Sequence, residues 1–149
     1  MIEARRKSAW RNDYELSADG RPMALFTGSL WRGGGALVVD GRRYEVRSSA
    51  WATSYSLVDD GGALVAAARR VGRKDWSIVA GGVVHSFRRS SMWTLEQEHV
   101  VHGMPMGTIR RTSMWRGDAV ADLPGLPPLL ALFAITVVLT TWDVAAAAT

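Results

Sequence analysis

The sequence predicts a mainly β fold: a closed antiparallel barrel of roughly twelve strands, built from repeats of ~40 residues and enclosing a hydrophobic C-terminal helix. Three observations carry this expectation. A pattern near the N-terminus recurs at a fixed interval, tight-turn dipeptides punctuate short alternating runs, and the last part of the chain holds a charge-free apolar segment.

The repeat is Ser8-Ala9-Trp10-x-x-x-Tyr14-x-Leu16-x-x-Asp19-Gly20, which returns as Ser49-Ala50-Trp51-x-x-x-Tyr55-x-Leu57-x-x-Asp60-Gly61 with every matched position displaced equally. So many coincidences at one interval, two of them tryptophans, are not expected by chance. A looser third copy begins at Trp93-x-Leu95 and reaches its glycine at Gly103, and Arg88-Arg89-Ser90-Ser91-Met92-Trp93 is echoed by Arg110-Arg111-Thr112-Ser113-Met114-Trp115. Within the units, Tyr14-Glu15-Leu16 and Tyr44-Glu45-Val46 alternate as strands do, and turns are marked at Ala18-Asp19-Gly20, Asp40-Gly41, Asp59-Asp60-Gly61-Gly62 and Gly81-Gly82. Asp-Gly suits a tight hairpin because the turn needs positive φ angles that glycine takes without steric cost. About four strands per unit give roughly twelve in all.

From Leu123 to Trp142 no residue is charged, with Asp122 and Asp143 on either side. Proline is tolerated in a first helical turn, so a helix is expected over 128–142, starting near Pro128. Leu129, Leu130, Leu132, Phe133, Ile135, Val137, Val138 and Leu139 leave only Thr136, Thr140 and Thr141 as polar relief, and a helix apolar all round must be buried in protein or in lipid. Leu129 to Trp142 spans about 21 Å against a hydrocarbon core of about 30 Å, and its proline entry suits insertion poorly. A barrel of about eight strands is filled by its own side chains, whereas one of about twelve has room for an axial helix. The helix is therefore expected inside the barrel, ahead of a tail anchor.

At this point the chain resembles the tubby-like superfamily, in particular its LURP-one-related and phospholipid-scramblase-like branch. The resemblance rests on Tyr55-x-Leu57-x-Asp59-x-Gly61-x-x-Leu64-Val65-Ala66, Trp76-x-Ile78, Trp93-x-Leu95, Gly107-x-Ile109-Arg110-Arg111 and Ala121-Asp122-Leu123-Pro124 with the apolar helix, over about residues 50 to 142. It implies a barrel of roughly twelve strands around a C-terminal helix, and a small bacterial member of the family. Some relatives bind phosphoinositides through basic surface residues. The calcium-binding acidic segment and cysteine-rich region associated with scramblases are missing from this sequence, so scrambling is not carried over.

At 149 residues and 48% hydrophobic content, the chain fits a single domain spanning 1–149 with its own core. With no cysteine, disulfides, thiolate metal sites and cysteine nucleophiles are excluded. The basic start, Arg5-Arg6-Lys7, runs into Ser8-Ala9-Trp10-Arg11 instead of the apolar run of an export signal, which points to a cytoplasmic location. Formal net charge is +4, and every basic residue other than Lys7 and Lys74 is arginine. Arginine bonds phosphate and carboxylate bidentately through its planar fork, although a GC-rich coding genome would produce the same bias.

The candidate ligand-binding residues are Arg42 and Arg43, Arg69 and Arg70, Arg73 and Lys74, Arg88 and Arg89, and Arg110 and Arg111. A pair inside a strand would aim one arginine at the apolar lumen, so the pairs are expected at strand ends or turns, gathered on a rim. Such a rim attracts phosphate headgroups, nucleic-acid backbone or an acidic partner, while Asp59, Asp60 and Asp75 could neutralise part of it. Glu96-Gln97-Glu98-His99-Val100-Val101-His102 has metal-ligand chemistry but not the helical spacing of a zinc motif, and reads better as a polar hairpin. Gly33-Gly34-Gly35 lacks the lysine and helix of a phosphate loop and reads as a turn. No G-x-S-x-G elbow surrounds Ser48-Ser49 or Ser90-Ser91. Trp10, Trp31, Trp51, Trp76, Trp93, Trp115 and Trp142 follow the repeat and are assigned to core packing.

The expectation for function is a non-enzymatic module without metal or cofactor. It would bind an anionic phospholipid surface or a protein partner at the inner face of a membrane, with no specific nucleic acid indicated. The alternatives are a tail-anchored protein with a cytoplasmic basic β domain, and a carrier or enzyme that uses the lumen as a pocket.

Overall fold

The computed structural model describes residues 1–8, 11–29, 33–91, 95–113 and 117–147. Twelve strands follow one another: β1 (Ile2–Ser8), β2 (Arg11–Ala18), β3 (Arg21–Gly28), β4 (Gly34–Val39), β5 (Arg42–Ser48), β6 (Ser54–Val58), β7 (Leu64–Arg69), β8 (Asp75–Ala80), β9 (Val83–Arg89), β10 (Gln97–Val101), β11 (Met104–Arg111) and β12 (Ala119–Asp122). Each pairs antiparallel with its sequence neighbours, and β1 pairs with β12 to close the barrel. One helix, α1 (Pro128–Ala147), ends the described chain.

Period-two alternation aims one set of side chains at the lumen: Ala4, Tyr14, Leu16, Ala24, Phe26, Leu37, Val46, Tyr55, Leu57, Ala66, Ala68, Trp76, Ile78, Phe87 and Ile109 are all buried. The repeat is visible in this layer. Leu16, Leu57 and His99 occupy equivalent inward positions on β2, β6 and β10, and in each hairpin the register shifts immediately afterwards, a bulge that bends the strand round the barrel. Strands β2 to β5 and β6 to β9 form the first two units. The third is β10, β11 and β12 completed by β1, so the N-terminal strand supplies the last wall.

From Leu130 through Thr140 every residue of α1 is buried, about three full turns. A helix lying on the outside of a barrel would expose one face of each turn, so α1 runs through the lumen. It comes nearest β3, β4 and β7, where Ala24, Gly34, Ala66 and Ala68 leave room for its backbone. At Gly34 a Cβ would lie 2.0 Å from the Val46 carbonyl oxygen, and φ is +79°, so only glycine fits. Gly34 and Gly35 thus open β4 instead of forming a turn. Thr136 and Thr140, buried at the lumen's centre, donate to the Phe133 and Thr136 carbonyl oxygens, which removes their polarity from the core.

The helix is longer than the expected 128–142. It continues to Ala147 and carries Asp143, because that carboxylate has partners on the barrel wall. Trp76 and Trp142 pack in the core as expected, but Trp51 is 87% exposed, in the β5–β6 connection. Trp10, Trp31, Trp93 and Trp115 lie outside the described residues.

Because the helix fills the lumen, truncating it leaves a void that a closed barrel cannot collapse onto. Phe133→Ala is expected to lower the free energy of unfolding by about 3–5 kcal/mol, read by guanidinium titration. Leu129→Ala, at a partly exposed position nearer the helix start, should cost less than half of that.

Candidate anion-binding rim

The up-and-down order gives the barrel two unlike ends. At the turn rim, two-residue connections join β2–β3, β4–β5, β8–β9 and β10–β11, a five-residue connection joins β6–β7, and the chain turns through residues 123–127 into α1. At the loop rim, connections of five to seven residues join β3–β4, β5–β6, β7–β8, β9–β10 and β11–β12, and α1 arrives there with its C-terminus.

Four of the five basic sets fall on the loop rim. Arg69 ends β7, Arg70, Arg73 and Lys74 stand in the β7–β8 connection, Arg88 and Arg89 end β9, and Arg110 and Arg111 end β11. Strands β7 to β11 are consecutive neighbours in the sheet, so these side chains form a continuous arc. Arg42 and Arg43 do not join it. They follow the Asp40-Gly41 turn at the start of β5, on the opposite rim, because they come after a hairpin turn and the others come before a loop.

Within the arc the arginines divide by strand parity. Arg88 donates from Nε to Glu98 at 2.8 Å, across the β9–β10 pairing, and is neutralised there. Arg111 turns inward. Its guanidinium lies 4.8 Å from the centroid of the Trp142 ring, and its Nε has no hydrogen-bond partner among the described residues. Arg69, Arg70, Arg73, Lys74 and Arg110 are exposed, Arg89 is half-buried, and none of these six makes an ion pair among the described residues.

The end of α1 is fastened at the same rim. Asp143 is buried, accepts from the Tyr14 hydroxyl at 2.9 Å and pairs with Arg6 at 3.1 Å; Arg6 also donates to Asn12 and lies over the Tyr14 ring. Burial holds the Asp143 carboxyl above its ordinary pKa, against the lowering effects of Arg6 and the Tyr14 hydrogen bond. Burial, with the neighbouring carboxylate, pushes the Tyr14 phenol up. Asp143 is a helix anchor, held to the barrel wall by Tyr14 and Arg6.

At the turn rim the histidines separate. His102 sits exposed in the β10–β11 turn at positive φ, Glu98 is spent on Arg88, and His99 is buried in the lumen. No cluster of three metal-ligating side chains occurs among the described residues. His99 takes the place that leucine holds in the other two repeats. It lies 5.2 Å from the Phe87 ring and 6.1 Å from His85, with its Nδ1 unpartnered among the described residues and Gly125 packed against it. The sequence pattern assigns His99 to a polar hairpin; aligning the third copy on Leu16 and Leu57 identifies it as an inward histidine.

Comparison of the chain with family models, with curated proteins and with solved structures finds no match in any of the three.

Burial, followed by the neighbouring His85, holds the His99 pKa below its ordinary value of about 6.5. The unfolded chain therefore takes up a proton that the native protein resists. Full stability is kept above about pH 6.5 and is lost as pH falls through the folded value. His99→Leu is expected to flatten this acid-side loss. Denaturant midpoints of the two proteins should differ more at about pH 5.5 than at about pH 7.5, with the variant the more stable at the lower pH.

Proposed function

We propose that this chain is a non-enzymatic binding module that sits against an anionic phospholipid surface through the loop-rim arc. The observation that carries the reading is the row Arg69, Arg70, Arg73, Lys74, Arg89 and Arg110, contributed by β7, the β7–β8 connection, β9 and β11 and without an ion pair among the described residues. Asp75 at the start of β8 and Glu96 before β10 lie on the same rim and offset part of this charge. The cations in excess form a field that falls off over about 8 Å at physiological salt, and each basic residue near an anionic bilayer contributes about 1 kcal/mol. Arginine in particular can grip headgroup phosphates with two parallel hydrogen bonds. The resemblance to tubby-like proteins supports the same reading, since a barrel of twelve strands round a helix is what it implies and basic surface residues serve some relatives in phosphoinositide binding.

A cytoplasmic, peripheral location at the inner face of a membrane accompanies this proposal. The tail-anchor alternative draws no support from a helix already covered by the barrel. Although α1 is long and apolar enough to cross a bilayer, inserting it would leave Leu16, Leu57 and Phe87 facing an empty lumen. The same plug occupies the barrel axis that a lumenal carrier would need.

The test is co-sedimentation with vesicles. Binding is expected to phosphatidylcholine vesicles containing phosphatidylserine and not to pure phosphatidylcholine, and to weaken steeply with added salt. Charge reversal at Arg69 and Arg70 should reduce binding by at least ~tenfold, whereas reversal at Arg42 and Arg43 on the opposite rim should leave it nearly unchanged. Equal recovery on both vesicle types, or equal loss from both charge reversals, contradicts the proposal; capture of an acidic protein with no vesicle binding moves the site to a protein partner.

A further inference from the structure

Beneath the arc the structure holds a cavity that surface attraction does not require. Between the last turns of α1 and the β7–β8 connection lies a space of about 110 Å3, walled by Val71, Trp76, Val137, Val138 and Trp142. Arg73 and Arg89 stand on its lining, together with Gln97, Thr141 and Ala145. Gln97 accepts the Trp76 indole N–H at 2.9 Å, which fixes its carbonyl oxygen and leaves its NH2 group as a donor. An apolar floor with a few convergent polar groups at the edge is the usual form of a small-ligand site.

We infer that this cavity binds a small amphiphile: one compact apolar group seated against Val71, Val138 and Trp142, and one anionic head held by Arg73 and Arg89. The volume sets the size. It is about a quarter below that of an engineered apolar cavity of about 150 Å3 that takes benzene, so it accommodates a chain of roughly five carbons or at most a single ring. A complete lipid acyl chain is too large, which separates this ligand from the bilayer itself. The charge sets the head. Arg73 faces the space from the β7–β8 connection and Arg89 from the end of β9, and neither has an ion pair among the described residues. A neutral alcohol in the same place would leave both guanidinium groups uncompensated. The chemistry that fits is a short-chain or aryl monocarboxylate, taken from solution.

This inference shares Arg73 and Arg89 with the membrane-facing arc, but it depends on the cavity, and the two can fail separately. The probe is hexanoate, with 1-hexanol as the neutral analogue and acetate as the head alone, each titrated into the full chain and followed by the NMR shift of the Trp76 indole N–H. Hexanoate should saturate with a dissociation constant at or below about 1 mM, while hexanol and acetate bind at least ~tenfold more weakly. Ala145→Phe changes an exposed residue on the cavity lining, so it blocks the space without touching the core. It should abolish hexanoate binding and leave vesicle binding intact. Arg73→Gln with Arg89→Gln should lower hexanoate affinity to that of hexanol. Absence of saturable hexanoate binding, equal affinity for hexanol, or undiminished binding by Ala145→Phe overturns the inference, whatever the vesicles show. Loss of vesicle binding alone overturns only the membrane reading.

Discussion

The structure depends on one mutual requirement: a barrel of twelve strands must be filled, and a helix apolar on every face must be covered. Each part covers apolar surface that the other would leave facing water. The strands present Leu16, Phe26, Leu37, Leu57, Ile78, Phe87 and Ile109 to the lumen, and these would face water without α1. Alanines on β3, β7 and β12 make space where the helix approaches or passes. The two threonines within the plug cause no conflict, because each returns its hydroxyl to the helix's own carbonyls.

Enclosing the helix creates an electrostatic problem at its end, and that problem shapes the loop rim. The last turn of α1 contains no basic residue of its own, although exposed carbonyls there carry a partial negative charge. The barrel supplies the cations. Arg6 of β1 pairs with Asp143, Arg111 of β11 covers Trp142, and Arg89 of β9 lines the neighbouring cavity. These inward arginines serve the plug. Arg69 and Arg110, of the opposite strand parity, face outward, while Arg70, Arg73 and Lys74 are exposed in the β7–β8 connection. Structure and candidate function thus share one rim, and Arg89 belongs to both.

Much of the architecture was legible in the sequence. The recurrence of Trp, Tyr, Leu and Asp-Gly from Ser8 to Ser49 gave the strands their period, and the charge-free run after Leu123 gave the plug. The position of each basic pair was less legible, since Arg42-Arg43 and Arg69-Arg70 look alike in isolation. They separate only when one is seen to follow a tight turn and the other to precede a loop. Asp143 looked like the end of the helix because a carboxylate belongs in water; Tyr14 and Arg6, far away in sequence, are what draw it inside. Trp51 was assigned to the core on its repetition, yet its place in a connection leaves it exposed. His99 was hidden because the third copy is loose, and its inward direction follows from the register of β10 against β9 and β11.

The central claim is that α1 occupies the lumen of the closed barrel. The chain has no cysteine, so a single introduced thiol reports its own surroundings. Thr136→Cys puts a small thiol at a fully buried position in the middle of the helix, and Ala147→Cys puts one at its exposed end. Reaction with a water-soluble maleimide should be immediate at position 147. At position 136 it should be absent until the denaturant concentration at which the whole barrel unfolds. Prompt labelling at both positions in native buffer, with the barrel still folded, would contradict the account.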